Sequence, residues 1–124
     1  MPEKSSGVNA ATASERLPAV VLVYATFPNV GVADAVGGAL VEIGLAACVN
    51  LIPGMRAIYR WRGALQRDDE TVAIVKTTDT LVDRVVGFVR VAHPYGNPAV
   101  VALPAVGGSA EFLAWVRAET VGSR

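Results

Sequence analysis

The sequence predicts an α+β fold: an antiparallel sheet in the ferredoxin-like split β-α-β order, with an extra C-terminal helix and a long central hairpin. Three observations predict it. Strand-like and helix-like segments follow one another as β-α-β-β-α-β-α over residues 18–124. Two long β-rich arms, Leu45 to Arg62 and a return arm firmest over Glu70 to Thr78, are joined by a turn at Arg62-Gly63-Ala64. Two helical stretches carry apolar residues three and four apart, so each has one face to bury.

The elements can be justified in order. Residues 1–17 are small and polar without a period, and are expected to form a disordered N-terminal tail. Ala19 to Ala25, AVVLVYA, is an apolar run that suits a buried central strand. Thr26 to Asn29 breaks it. Asn29 can cap a helix whose start Asp34 would suit, with Val32, Val36, Leu40 and Ile43 along its inner face. Gly44 stands where a helix ends in a left-handed residue.

Leu45 to Arg62 reads as one long strand, interrupted at Pro53-Gly54 by a bulge or bend. Arg62-Gly63-Ala64 offers the turn, and the return arm is firmest over Glu70 to Thr78. Thr78 can cap a second helix with Asp79 and Asp83 in its first turn. Leu81, Val85, Phe88 and Ala92 are its expected inner face, and Pro94 ends it. Pro98 to Leu103 is a short strand, and Ser109 caps a last helix bearing Phe112, Trp115 and Val116.

The hairpin arms are two to three times the usual strand length of about five or six residues. They must overshoot the domain, carrying Ile58, Tyr59 and Trp61 with them. Bare apolar edges of that kind invite pairing with another chain, so a homo-oligomer is expected.

Composition narrows the function. Hydrophobic residues make up 52% of the 124 and charged residues 18%, which leaves apolar surface for subunit contacts. Eleven residues of each sign cancel, with no basic stripe, so a nucleic-acid partner is not expected. No apolar run is long enough to span a membrane, and the N-terminus has no apolar signal core. The single cysteine, Cys48, fits a reducing compartment, and the cytoplasm is the expected location.

Candidate residues each carry two readings. His93, the only histidine, is a good ligand type for copper or zinc, yet its neighbours supply no second donor. At a helix end it can instead bond a free carbonyl, and that reading is preferred. Cys48 suits Cu(I), but a cysteine in an apolar strand usually packs as a small hydrophobe. Tyr59, Arg60, Trp61 and Arg62 suit either an anion or a subunit contact, the contact being preferred. Lys76 can meet an anion in a cleft or snorkel at an edge. Gly107-Gly108 before a helix is weak evidence for a phosphate. No nucleophile-and-base set and no cofactor motif is present, so no enzyme activity is expected.

ALVEIGLAACVN (39–50), IYRWRG (58–63), VKTT (75–78), HPY (93–95) and ALP (102–104) occur in this order. Together they resemble the CutA divalent-cation tolerance family over about residues 20 to 120. The resemblance implies a homotrimer and a role in tolerance of divalent metals, copper above all. On that reading Cu(II) or another divalent metal is the one candidate cofactor, weakly bound, with His93 and Cys48 as the candidate ligands. Independently of metal, Tyr59, Trp61, Arg62, Lys76 and Tyr95 are the residues expected at clefts between subunits. There a small anion or a protein partner would bind if the protein is instead a trimeric signalling or scaffold protein. The chain departs from the family pattern at Gly96 and Ala99, where members often carry glutamate, which weakens any metal site leaning on those carboxylates.

Overall fold

The structure, a computed structural model, describes residues 17–121. The expected tail therefore lies outside the described residues apart from Leu17, as do residues 122–124.

Strand β1 (Val20–Phe27) leads into helix α1 (Val30–Glu42). The hairpin β2 (Cys48–Trp61) and β3 (Ala64–Thr78) follows, then a 3-10 turn (Asp79–Leu81) and helix α2 (Val82–Ala92). Strand β4 (Val100–Pro104) and helix α3 (Ala110–Ala118) complete the chain. The sheet order is β2-β3-β1-β4 with every pair antiparallel, which is the split β-α-β arrangement. No helix among the described residues is long and apolar enough to cross a membrane.

Side chains alternate across a sheet. On one face Val23, Ala25, Phe27, Ala73 and Val75 meet Ala33, Val36 and Leu40 of α1 and Val85 and Val89 of α2 in the main core. On the other face Leu22, Tyr24, Ile74 and Lys76 stay half-buried, and Val101 and Leu103 are exposed. The central strand is thus largely buried, as the apolar run 19–25 suggested: one face lies in the main core, and on the other Val20 and Thr26 are buried while Leu22 and Tyr24 are half-buried. Helix α3 packs apart from that helix layer: Val116 joins Val20 and Ala47 in a second, smaller core.

Local signals explain several boundaries. Asn29 accepts the Val32 amide at 2.9 Å and caps α1, and Gly44 takes φ 81° at its end. Ser109 caps α3 by accepting from Phe112. Other expectations need correction. Asp34 lies beyond the first turn of α1, so it contributes little to the helix dipole. Ile43 and Ala92 are exposed, because each helix has turned its stripe away by its last residues; in α2 Val89 is buried instead. Thr78 makes no capping bond, since its hydroxyl meets that of Thr80 and a 3-10 turn intervenes before α2.

The hairpin has the feature that positions the site. β1 pairs with β3 only over Thr71–Thr78, so residues 55–70 overhang the sheet. The register shifts between Ile52 and Met55, where three steps in β2 face two in β3. Gly54 at φ 77° supplies the left-handed residue this bulge uses. One extra residue exchanges the two faces of a strand. Before the bulge Cys48, Asn50 and Ile52 share the open face. After it Met55, Ala57, Tyr59 and Trp61 do, opposite Glu70, Asp68, Gln66 and Ala64.

Candidate functional site

The bulge aims Tyr59 and Trp61 toward the open side of the sheet, and a groove of about 1060 Å³ forms there. The overhanging hairpin is one wall, with Met55, Tyr59, Trp61, Arg62 and Glu70. The loop Pro94–Asn97 is the other, and Tyr24 and Thr26 of β1 lie between them. Four of the expected cleft residues, Tyr59, Trp61, Arg62 and Tyr95, therefore line one concavity.

The hairpin wall is tied internally. Arg62, in the turn at φ 50°, holds its guanidinium 5.5 Å from the Trp61 ring centre, a cation–π distance. The Tyr59 hydroxyl donates to the Asp68 carboxylate. That bond, with minor burial and the charges of Asp68 and Glu70, pushes the Tyr59 phenol up to about 12. Tyr59 is therefore a neutral donor already committed to Asp68. Arg56 and Asp69 pair at 2.9 Å on the opposite face, both largely exposed, which makes this ion pair worth little.

The loop wall depends on His93. The residue closes α2 as the sequence suggested, its amide bonding Val89 O at 2.8 Å. Its side chain does something else. Nε2–H donates to the Thr26 carbonyl of β1 at 2.6 Å, and Nδ1 accepts from the Tyr95 amide at 3.1 Å. The ring stacks on Phe27 with centres 4.9 Å apart and is 7% exposed. Capping by the imidazole of its own helix's carbonyls is thus not what the structure shows.

Cys48 and Lys76 are placed elsewhere. They face each other across β2 and β3 in the row of Leu22. Lys76 donates to Asn50 Oδ1, and neither residue lines the groove. The Cys48 row lies four residues along and two strands across from Thr26, roughly 16 Å at ordinary sheet spacings. Metal donors sit about 2 Å from their ion, so Cys48 and His93 of one chain cannot share one. Among the described residues no three His, Cys, Asp or Glu side chains group to hold a metal.

Tyr24, Met55 and Asn97 also line the groove without having been singled out in the sequence, and Glu70, which with Asp68 and Asp69 reads there as a solvated acidic cluster, joins them. Tyr24 carried a signal: a lone phenol in an aliphatic strand needs a polar side for its hydroxyl. Asn97 carried none. Gly96 and Ala99 also line the groove, so its loop wall carries no charge at those two positions.

The family model described as CutA1 divalent ion tolerance protein matches residues 21–119. A relative from Arabidopsis thaliana, named protein CutA, chloroplastic, is 37% identical over 116 residues, 94% of this chain and 63% of that protein. The divalent-cation tolerance protein CutA of Thermus thermophilus is 43% identical over 99 residues, 80% of this chain and 96% of that protein. The crystal structure of CutA1 from Oryza sativa matches with a TM-score of 0.81 at 36% identity, over 84% of this chain and 95% of that one. The chain spans a little under two-thirds of the length of the Arabidopsis relative.

Proposed function

The chain belongs to the CutA1 divalent ion tolerance family, and from that premise we propose that it is a homotrimeric divalent-cation tolerance protein working through the hairpin groove. The observation that carries this reading is the convergence of Tyr59, Trp61 and Arg62 with Tyr95 on a single concavity. A closed small-molecule pocket usually holds about 300–1,000 Å³. This groove, at about 1060 Å³, lies just above that range and is walled by an overhanging hairpin, which suits the edge of a subunit contact. Trp, Tyr and Arg are the side chains that carry such contacts.

Exposed apolar side chains support the trimer. Ile52, Ile58, Trp61, Leu65, Val101 and Leu103 are each about half exposed, and among the described residues β2 and β4 form the two edges of the sheet. Partner copies that cover the open face would bury Ile52, Trp61, Val101 and Leu103, and copies that pack on the other face of the overhanging hairpin would bury Ile58 and Leu65. We assign copper as the relevant cation and the cytoplasm as the compartment, the latter on the single reduced cysteine. The chloroplast name of the Arabidopsis relative marks compartment as a property for cell fractionation to decide. The role is binding rather than catalysis, in keeping with a family description that names tolerance and no reaction.

A second reading has its own support. With Gly96 and Ala99 uncharged, Arg60 and Arg62 outnumber Glu70, the one lining carboxylate, so the groove suits a small anion or an acidic protein segment. Metal dependence of a ligand-binding signal separates the two, and complementation tests whether the groove serves tolerance. In a copper-sensitive host lacking its own family member, the wild-type chain should restore growth on copper and Tyr95→Ala with Trp61→Ala should not. Full rescue by that double variant would remove the groove from the tolerance role.

A further inference from the structure

The loop between α2 and β4 carries an inference beyond that role. The β1–β4 ladder ends at Ala25 and Val100. One residue further, the Thr26 amide still bonds Ala99 O at 3.3 Å, but β4 does not fill the Thr26 carbonyl. The His93 imidazole fills it, at 2.6 Å. Both ends of the loop 93–99 are thus fastened to Thr26, one through a side chain and one through the backbone. A buried carbonyl needs such a donor, and here the histidine takes the place of the next strand residue.

The partners fix the tautomer. A carbonyl only accepts and a backbone N–H only donates. Nε2 therefore carries the proton, and the lone pair of Nδ1 is taken by the Tyr95 amide at 3.1 Å. Phe27 lies 4.9 Å away on a near-parallel plane, and the Tyr95 ring is 4.9 Å away at a tilt of 50°. A neutral imidazole binds metal through its unprotonated nitrogen. In this chain that atom already has a partner, and the ring is buried. Cys48 stands rows away, and the loop positions 96 and 99 hold no carboxylate. The metal that the family implies does not fit these residues.

We infer that His93 is a latch: it pins the turn Pro94–Asn97 to β1 and positions Tyr95 at the groove, and it is not a metal ligand in this chain. The inference needs neither the trimer nor copper tolerance, so its failure and theirs can be told apart.

The test is nuclear magnetic resonance on the full chain. Long-range proton–nitrogen spectra of the imidazole report which ring nitrogen carries the proton, and hydrogen exchange reports the Tyr95 amide. The latch predicts the Nε2–H tautomer, a protected Tyr95 amide, and ring nitrogens that do not shift with one equivalent of Zn(II). His93→Phe keeps the stack on Phe27 but loses both hydrogen bonds, so Tyr95 exchange should rise about tenfold, as one lost bond implies. An Nδ1–H tautomer would overturn the inference. So would zinc shifting the ring nitrogens, or an unprotected Tyr95 amide in the wild-type chain. If His93→Phe does not fold, the wild-type spectra with and without zinc decide alone.

Discussion

His93 and Thr26 stand 67 residues apart in sequence and are joined by a hydrogen bond from the imidazole Nε2–H to the Thr26 carbonyl. This bond, with the stack on Phe27, ties the end of α2 to the central strand. It sets where the following loop lies, and so one wall of the groove.

Removing the ring should therefore be felt well beyond a cap. His93→Ala loses the carbonyl donor, the Tyr95 acceptor and the contact with Phe27 at a buried position. The expected cost is about 2–4 kcal/mol, in the range of other buried large-to-small changes. It is measured as a shift of the urea midpoint at fixed protein concentration, since subunit association also moves that midpoint. A loss typical of a surface substitution would mean the loop is held by other contacts.

Tyr59 gives a pH prediction with a definite sign. Its phenol is raised to about 12, first by the bond to Asp68. The neutral form is favoured in the folded chain, because a phenolate would face a carboxylate. The stabilisation is present below pH 10, the unfolded value, and is lost as the pH rises through 12. Phenolate absorbance should show one of the three tyrosines ionising near 12. Asp68→Asn should bring that step back toward 10.

Two neighbouring glycines of α1 should respond differently to alanine. Gly38 has open space where a Cβ would go, so Gly38→Ala should stabilise by about 0.5–1 kcal/mol through helix propensity and a stiffer unfolded chain. At Gly37 the new Cβ would meet Val49 Cγ1 at 3.2 Å, and a β-branched neighbour has little freedom to turn. Gly37→Ala should lose most or all of that gain. Thermal midpoints of the two variants make the comparison. Equal gains would show that β2 shifts readily under the helix.

What the sequence disclosed was local. Asn29, Gly44 and Pro53-Gly54 act within a few residues, and their cap, helix end and bulge are where the residue types put them. The groove was half visible. Tyr59, Trp61 and Arg62 announced themselves as aromatic and cationic groups on an overlong arm. That they share a face with Tyr24 follows from one extra residue at the bulge, and register is not written in any single segment. His93 was seen to end a helix, but its side-chain partner lies on another strand, which no local pattern reports. Lys76 and Cys48 matched family motifs, and the pairing of β2 with β3 set them in a different row. Ile43 and Ala92 continued an apolar spacing past the point where the helices still face the sheet.

The central claim is that the overhanging hairpin and open sheet face are covered by partner copies. Native mass spectrometry of the purified chain at micromolar concentration tests it most directly. The account predicts a trimer that dissociates when Ile58 and Trp61 are both changed to aspartate while the monomer keeps its circular dichroism. A wild-type monomer, or a trimer indifferent to those two changes, would contradict it.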